Sequence, residues 1–328
     1  MSKAKDKVLV VGGAGYIGSH TAKALANKYD VLVYDNLTRG HEWAVKWGKL
    51  VKGCLLETDK LKELMSSEQI VGVFHFAASS LVGESVQNPL KYWKNNVAGT
   101  ASLLTAMRDS EVRYFVFSST AAVYGEPEKV PITEDFPKVP TNPYGNTKLT
   151  VERMLADCRQ AHGLSYSALR YFNAAGASID GDIGEDHTPE SHLIPIILDA
   201  ALGRREAIKI FGEDYPTRDG TCIRDYIHVT DLADAHVLAF EKLRQGSGEI
   251  TLNLGNGTGY SVKEVVDMVR KVTKVDVKAE PASRRAGDPA QLIASAERAM
   301  KELNWQPKYA SLEDIVSTAW AFHRKHFG

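Results

Sequence analysis

The chain has 328 residues, of which 44% are hydrophobic and 25% charged, and its formal net charge at pH 7 is −1. This composition is typical of a folded globular protein and excludes a disordered or fibrous chain. The near-zero charge argues against nucleic acid as the main partner, because phosphate backbones are recognised by clusters of Lys and Arg. A chain of this length predicts about two domains.

Residues 2–7 alternate in charge and have no apolar run behind them, so we expect no signal peptide. The apolar runs have strand length, short of the roughly 20 residues of a membrane-spanning helix. The cysteines Cys54, Cys158 and Cys222 lie far apart without CxxC spacing, which predicts reduced thiols in a cytoplasmic protein. Ten histidines occur, but none in HxxxH, HExxH or Cys/His spacing. We therefore expect neither a metal site nor a membrane partner.

The first half of the chain alternates strand and helix patterns. Asn-Pro pairs at 88–89 and 142–143 fit the N-cap and first position of two long helices. The first carries an apolar stripe, and the second ends near His162. Near-continuous apolar strands between helices indicate a Rossmann-type, doubly wound parallel sheet in an α/β fold. The predicted strands are 7–11, 31–34, 71–76, 114–117 and 164–170. The residues of the stripe are Leu90, Trp93, Val97, Ala101 and Leu104.

The pattern changes after Asn173, where loop-rich and turn-rich segments follow. Capping boxes begin helices after Ser261 and Ser311. We predict a dinucleotide-binding domain over residues 1–175, with a returning segment near 225–250. A smaller mixed α/β domain over residues 176–328 would bind the substrate and pack closely on the first.

A glycine-rich turn, Gly12-Gly13-Ala-Gly15-Tyr-Ile-Gly18, follows the first strand and reads as GxGxxG or GxxGxxG. Such glycines let a pyrophosphate approach the backbone at a helix N-terminus. Asp35 ends the second strand, where a carboxylate accepts hydrogen bonds from the ribose hydroxyls and repels a 2′-phosphate. The pattern therefore favours NAD over NADP. Arg39, which could favour NADP, is interpreted as a solvent-facing loop residue.

Tyr144 and Lys148 lie at i and i+4, on one face of the second Asn-Pro helix. A tyrosine ordinarily titrates near 10. A neighbouring Lys⁺, the positive end of the helix and a nicotinamide cation would all favour the phenolate, a general base near neutral pH. The same pair on an exposed helix would be an ordinary surface feature. Tyr124 is the rival tyrosine, but Glu128 stands at the corresponding spacing, so we expect Tyr124 to pack or to line the cofactor.

The glycine turn, Asp35, the segment NNVAGT at 95–100, Thr120 and the Tyr144/Lys148 pair together resemble the extended short-chain dehydrogenase/reductase family. Within it, the resemblance is to the UDP-glucose 4-epimerases over residues 8–320. That closer resemblance is carried by VGESVQNP, LRYFNAAGA, GEDYPTRDGTCIRDYIHVTDLADAH and RRAGDPA.

The resemblance implies a homodimer that holds NAD and interconverts UDP-glucose and UDP-galactose by oxidation at C4 to a 4-keto sugar and re-reduction on the opposite face. Tyr144 would be the base, Lys148 would hold the nicotinamide ribose, and Thr120 would bond the sugar O4. The residues implied for NAD are Gly12, Gly15, Tyr16, Ile17, Gly18, Asp35, Asn36, Leu55, Phe76, Ala77, Asn95, Ser118, Tyr144, Lys148 and Tyr171. Those implied for the UDP-sugar are Thr120, Tyr144, Asn173, His192, Leu193, Phe211, Arg224, Tyr226, Val262, Arg285, Asp288 and Leu292.

Three residues depart from the pattern of that family. Cys54 stands where an aspartate usually reaches the adenine, and His192 stands where many members have asparagine. Leu292 replaces a tyrosine that narrows the sugar pocket. Since leucine is smaller and lacks the hydroxyl, we expect UDP-N-acetylglucosamine to be accepted as well.

Two alternatives remain open. A related NDP-sugar dehydratase or decarboxylase would share the scaffold, but dehydratases carry an Asp-Glu pair directly after the threonine. Ala121 and Ala122 occupy those positions and can transfer no proton, which disfavours the dehydratase. A non-catalytic NAD-sensing regulator tends to lose the tyrosine or the lysine, whereas Tyr144 and Lys148 are both present.

Overall fold

The structure, a computed structural model, describes residues 5–285 and 288–328. Residues 1–4, and Ala286 and Gly287 of the RRAGDPA segment, lie outside the described residues. The strands are β1 (Lys7–Val11), β2 (Asp30–Asp35), β3 (Lys49–Lys52), β4 (Ile70–His75), β5 (Tyr114–Ser118), β6 (Ser165–Tyr171), β7 (Asn173–Ala175), β8 (Ile208–Phe211), β9 (Ile223–Arg224), β10 (Tyr226–His228), β11 (Glu249–Leu254), β12 (Tyr260–Ser261), β13 (Ala279–Ala282) and β14 (Gln291–Leu292).

The α-helices are α1 (Tyr16–Leu25), α2 (Thr58–Ser67), α3 (Val82–Gln87), α4 (Pro89–Tyr92), α5 (Gly99–Asp109), α6 (Pro143–His162), α7 (Leu193–Ala201), α8 (Val229–Lys242), α9 (Val262–Thr273), α10 (Glu297–Leu303) and α11 (Leu312–Phe327). Short 3₁₀ helices cover Glu42–Ala44 and Ala121–Tyr124, and π-helical turns cover Trp93–Ala98 and Leu243–Ser247.

The largest sheet has the strand order β3-β2-β1-β4-β5-β6-β11, and each neighbouring pair is parallel. This confirms the predicted Rossmann-type parallel sheet. The order reverses between β1 and β4, which is where open α/β sheets bind their ligands, beyond the carboxyl ends of the strands.

Alternate residues of these strands enter separate apolar cores on the two faces of the sheet, as the two-residue period of a strand requires. Val8 and Val10 pack with Phe240 of α8 on one face, and Leu9 and Val11 pack with Leu103 of α5 on the other. The sheet is therefore covered by helices on both faces. Burial on both sides explains why its strands read as continuous apolar runs.

The chain returns to this sheet after leaving it: α8 packs on α1, and β11 pairs with β6 as the edge strand. Helix α7, which precedes these returns, encloses a third apolar core with α9 and α11, which follow them. Three small sheets accompany it, with the orders β12-β9-β14, β13-β8 and β10-β7. Among residues 5–285 and 288–328, no helix combines the length and apolarity needed to cross a membrane.

The turn between β1 and α1 is closed by backbone packing that leaves no room for side chains. Gly12 has φ +81, and a Cβ there would lie 2.8 Å from the Cα of Ala77. A Cβ on Gly18 would overlap the carbonyl oxygen of Gly12 and lie 2.8 Å from the Cα of Gly13. A Cβ on Gly15, in contrast, would meet nothing nearer than 3.4 Å. The first and last glycines thus close the turn, and the middle one borders open space.

We expect Gly18→Ala to destabilise the protein, because the new methyl group meets backbone atoms that cannot rotate away. Overpacking of this kind costs about 1–3 kcal/mol, which for a chain of this size lowers Tm by roughly 1–4 °C. Calorimetry measures the change. The control is Gly83→Ala in α3, where a Cβ would meet nothing within 4 Å and alanine is the better helix former. Equal Tm values for the two variants would contradict the packing argument.

Candidate active site

The carboxyl ends of β5 and β6 bring three polar residues together. Ser118, the last residue of β5, and Tyr171, the last of β6, are buried and joined by a hydrogen bond between their hydroxyls. Thr120 follows β5 and caps the short 3₁₀ helix, where its Oγ1 accepts a 3.1 Å hydrogen bond from the amide of Ala122. Hydroxyl groups thus occupy the sheet edge at which ligands of this fold bind.

Helix α6 is held directly against this sheet edge by its first turn. The side chain of Asn142 caps the helix by accepting a 2.9 Å hydrogen bond from the amide of Gly145, as its Asn-Pro sequence predicts. A Cβ on Gly145 would lie 2.7 Å from the carbonyl oxygen of Ala122. Because that glycine has no side chain, the start of the helix rests on the 3₁₀ helix and brings Tyr144 to Thr120.

Lys148 is buried one turn further along α6. Its Nζ donates a 2.8 Å hydrogen bond to the carbonyl of Ser118 and lies 4.8 Å from the ring centroid of Phe117 and 5.9 Å from that of Tyr144. Burial lowers the pKa of Lys148 to about 7, against the opposing effect of the Glu152 carboxylate. The ammonium group is therefore close to losing its proton at neutral pH.

Burial also raises the pKa of Tyr144 to about 12, and only the Thr120 side chain opposes the shift through a hydrogen bond. The sequence expectation was the reverse, a phenolate favoured by Lys148, the helix end and a nicotinamide cation. The protein groups alone do not produce it, because desolvation outweighs them. The nicotinamide cation, the third group expected to favour the phenolate, is not part of the protein.

A buried hydrogen-bond network fixes α6 to the sheet next to Lys148. The Glu152 carboxylate accepts hydrogen bonds from Ser119 Oγ at 2.5 Å and from Arg170 Nε and Nη2 at 2.9 and 2.5 Å. Arg170 Nη1 also donates to the hydroxyl of Tyr124 at 2.8 Å, and that hydroxyl donates to Asn253 at 2.7 Å. Tyr124 is therefore a packing residue with an occupied hydroxyl, one of the two roles expected of it.

The glycine turn and Asp35 form a cradle suited to a dinucleotide. Gly15 is the N-cap of α1, so the free amides of the first helical turn point into the open space beside it. The Asp35 carboxylate is buried and accepts hydrogen bonds from the amides of Ala14 and Leu37 at 3.0 and 2.8 Å. A carboxylate has about four acceptor sites, so capacity remains for a ribose diol. Arg39 is exposed, as expected, and its Nη1 donates to the Thr188 carbonyl at 2.7 Å.

The other residues expected to hold the cofactor lie along the same edge. Phe76 and Ala77 follow β4, and both of their amides donate to the carbonyl of Val11, at 2.8 and 3.1 Å. Asn95 lies in the π-helical turn, where its Nδ2 donates to the neighbouring Asn96 at 3.0 Å. Exposed Asn36 follows Asp35, and buried Leu55 packs under Gly99. Cys54 is half-buried, and its carbonyl accepts a 3.0 Å hydrogen bond from Tyr34.

The residues expected to hold the UDP-sugar come mainly from the small sheets. Arg224 on β9 is paired in register with Leu292 on β14 and forms an ion pair with Asp288. The Arg285 guanidinium lies 4.1 Å from the ring centroid of Phe211. Leu292 packs in the same apolar cluster as Ala121, which connects this group to the Thr120 edge. Asn173 Nδ2 donates to the Asp225 carbonyl at 2.9 Å. The remaining substrate residues are buried Tyr226 on β10, Val262 at the start of α9 and Leu193 at the start of α7.

His192, by contrast, lies in a cluster that the sequence analysis missed. Its Nδ1 is 2.7 Å from a carboxylate oxygen of Glu185 and 3.1 Å from one of Glu190, and His187 completes the group. The HxxxH, HExxH and Cys/His spacings do not describe this group. The available signal was the alternation of both residue types in Glu-x-His-x-x-Glu-x-His over residues 185–192.

Known proteins with this sequence pattern and fold are nucleotide-sugar epimerases. A model of the NAD dependent epimerase/dehydratase family matches residues 8–255. A UDP-glucose 4-epimerase of Halalkalibacterium halodurans is 55% identical over 320 residues, which cover 97% of this chain and 96% of that protein.

Two solved structures extend the similarity to three dimensions. UDP-glucose 4-epimerase from Brucella ovis in complex with NAD has a TM-score of 0.94 at 52% identity, covering 96% of this chain and 97% of that one. The UDP-Glc/GlcNAc 4-epimerase of Campylobacter jejuni has a TM-score of 0.85 at 42% identity, covering 98% and 99%. The chain therefore belongs to the NAD dependent epimerase/dehydratase family.

Proposed function

We propose that the protein interconverts UDP-glucose and UDP-galactose by NAD-dependent epimerisation at C4 of the hexose. The observation that carries the proposal is the convergence of Thr120, Tyr144 and Lys148 at one sheet edge beside a dinucleotide cradle. The 55% identity to a UDP-glucose 4-epimerase over almost the whole chain supports the same reaction. The two alanines after Thr120 supply no acid or base for elimination of water, so epimerisation is favoured over dehydration.

NAD⁺ fits the cradle and would supply a reversible hydride acceptor for C4 of the sugar. The glycine turn and the first turn of α1 would hold its pyrophosphate, and Asp35 its adenosine ribose. Lys148 Nζ, already placed by the Ser118 carbonyl, would bond the nicotinamide ribose. Asn36, Leu55, Phe76, Ala77, Asn95 and Tyr171 would border the remaining atoms.

Tyr144 would remove the proton of the sugar 4-hydroxyl and later return it to the same oxygen. Thr120 would bond that oxygen and relay the proton, since its hydroxyl already lies next to the phenol. Burial keeps the Tyr144 phenol protonated in the protein by itself. The group therefore becomes a competent base only in an environment that carries further positive charge.

The substrate residues would recognise the two halves of UDP separately. Arg224 and Arg285 would bind the diphosphate through planar guanidinium forks, and Asp288 would bond the uridine ribose. Asp288 now neutralises Arg224, so the diphosphate would compete with a carboxylate for that arginine. Asn173, His192, Leu193, Phe211, Tyr226 and Val262 would line the rest of the site. We propose that these residues mark the 176–328 domain as the substrate side.

Tyr144→Phe should reduce epimerisation by about 10²–10⁴-fold, the usual contribution of a general base, while NAD stays bound. Conversion of UDP-galactose to UDP-glucose without an added electron acceptor measures the activity, and acid release of NAD measures retention. Tyr124→Phe is the matched control, because the hydroxyl of Tyr124 is bonded to Arg170 and Asn253. We expect it to keep activity within a few-fold. Normal turnover by Tyr144→Phe would contradict the assignment.

Leu292 suggests that the pocket also admits an N-acetyl group. It is half-buried against the cluster that contains Ala121, and the Campylobacter jejuni relative is a UDP-Glc/GlcNAc epimerase. We expect wild-type protein to convert UDP-N-acetylglucosamine, and Leu292→Tyr to lower this activity at least about tenfold relative to UDP-glucose, as steric exclusion from a packed site implies. Chromatography of both products measures the ratio. Leu292→Met, similar in volume, should leave the ratio unchanged, and the absence of any galacto product from wild type would refute the idea.

We further propose a homodimer, the finer part of the partner assignment. Val82, Val86, Leu90 and Trp93 are 45, 62, 77 and 38% exposed and follow one another at intervals of four, four and three along α3, α4 and the π-helical turn. Exposed large apolar residues on neighbouring helices mark a protein contact, and a second copy of this chain is the occupant that the family resemblance implies.

Leu90→Asp should therefore shift the protein from dimer to monomer, because it places a charge in an apolar contact. Light scattering after size-exclusion chromatography gives the mass directly. Met300→Asp is the control, since Met300 is also an exposed helical residue, 38% exposed, but lies on α10. If Leu90→Asp and wild type have the same dimer mass, this face is not the interface.

A further inference from the structure

Glu185, His187, Glu190 and His192 form a compact group outside the residues to which we assign the C4 chemistry. Their nearest ligand atoms all lie within 4.8 Å of one another. His192 Nδ1 is 2.7 and 3.1 Å from oxygens of Glu185 and Glu190, and His187 Nδ1 is 3.2 and 3.7 Å from oxygens of the same two residues. Each imidazole thus faces both carboxylates.

These separations are those of a tetrahedral coordination sphere. Zinc binds imidazole nitrogen and carboxylate oxygen at about 2.0–2.2 Å, and the edge of a tetrahedron of that radius is roughly 3.3–3.6 Å long. The four separations, from 2.7 to 3.7 Å, lie near that edge and involve one oxygen of Glu185 and both oxygens of Glu190. An ion at the centre would draw the four ligand atoms, which lie within 4.8 Å of one another, to that spacing.

His192 Nδ1 is hydrogen-bonded to Glu190, but His187 Nδ1 is aligned with neither carboxylate. His187 Nδ1 is buried and makes no hydrogen bond within the described part of the chain, although two carboxylates lie within 4 Å of it. The side chain of Glu185 is only 6% exposed. Ligand atoms around a shared metal ion have this arrangement, because each points at the ion and not at its neighbouring ligands.

The charges also balance for a divalent cation. Two carboxylates carry a charge of −2 and neutral imidazoles add none, so one M²⁺ makes the group neutral. In its absence, protons on both imidazoles must supply the same compensation, because buried carboxylates require a partner. Binding the ion therefore releases those two protons to solvent and leaves His187 and His192 as neutral ligands.

We propose that Glu185, His187, Glu190 and His192 form a structural Zn²⁺ site. Two imidazoles and two carboxylates suit zinc among the available divalent ions, and four protein ligands close the coordination sphere without an open position for chemistry. The side chains of His187 and His192 are 27 and 45% exposed, which gives the ion a path from solvent.

The ion would order the loop before α7, which packs beside the first residue of α1. The hydroxyl of Tyr16, the first residue of α1, donates to the Gly176 carbonyl at 2.6 Å, and its ring lies edge-on to His187 at 6.3 Å. Arg39 bonds the Thr188 carbonyl within the same loop. Ligation through Nδ1 also leaves the Nε2 of His192 as a hydrogen-bond donor of fixed tautomer, compatible with the place proposed for His192 in the lining of the substrate site.

Metal content tests the site directly. The purified full-length protein is stripped with EDTA, loaded with excess ZnCl₂, desalted and analysed by inductively coupled plasma mass spectrometry. We expect about one zinc ion per chain for a closed four-ligand site, and a rise in Tm of about 5 °C in zinc at 100-fold above its Kd. His187→Asn and Glu190→Gln should each retain less than about a tenth of the zinc and lose the shift in Tm.

The control is His162→Ala, which removes an exposed histidine at the end of α6 and should retain zinc as wild type does. Circular dichroism establishes that the two ligand variants are folded. If either is not, anomalous diffraction of zinc-loaded wild-type crystals decides: a peak among the four side chains supports the site. Failure of wild type to retain zinc, retention by folded His187→Asn, or a peak elsewhere overturns it.

Discussion

The buried ion pair between Glu152 and Arg170 is the contact on which the geometry of the active site depends. Glu152 lies on α6, eight residues after Tyr144 and four after Lys148, so all three share one face of the helix. Its carboxylate is held by Arg170 on β6 and by Ser119 just beyond β5. Removal of one partner from such a pair costs about 3–5 kcal/mol, because the other charge stays buried.

The same network extends to the edge strand of the sheet. Arg170 donates to the Tyr124 hydroxyl, which donates to the side chain of Asn253 on β11. The backbone amide of Asn253 in turn donates to Glu134 at 2.8 Å. Strands that are far apart in sequence are therefore registered against the helix that carries the base. The Glu152 charge also opposes the loss of the Lys148 proton, so one carboxylate both positions the lysine and favours its charged form.

Where local chemistry dictates the backbone conformation, the sequence was sufficient to predict the structure. Apolar runs predicted the buried parallel strands, Asn142 and Ser261 cap their helices as expected, and the glycine turn adopts the packing that only glycine allows. Strand β3 was missed, because it begins and ends with lysine and is only half-buried. Its strand character comes from pairing with β2, which no local pattern records.

The apolar stripe predicted on the helix after Asn88-Pro89 is only partly buried. Leu104 is buried, but Leu90 and Trp93 are exposed. The π-helical turn at Trp93–Ala98 changes the rotation of the helix, so residues that share a stripe in an ideal α-helix face different surroundings. That turn places Asn96 inside, where it bonds both Ser79 and Thr147. Hydrogen bonds between distant residues decided the outcome.

The pKa of Tyr144 and the cluster around His192 could not be predicted for related reasons. The first depends on how deeply the phenol is buried, which follows from packing and not from the i, i+4 spacing. The second depends on a loop that folds four side chains to one point. In both cases the sequence gives the residue types, but it does not predict their solvent exposure or their mutual orientation.

The way in which Gly145 packs on the 3₁₀ helix has a consequence for the divergence of such enzymes. The spacing between Tyr144 and Thr120 is set by backbone contact inside the first half of the chain. Leu292 reaches the same region on β14, from the second half, and contributes only bulk. In the proposed site, substitution of Leu292 would therefore change the range of sugars while the reacting groups stay in place, so substrate choice and reaction type could evolve independently on this scaffold.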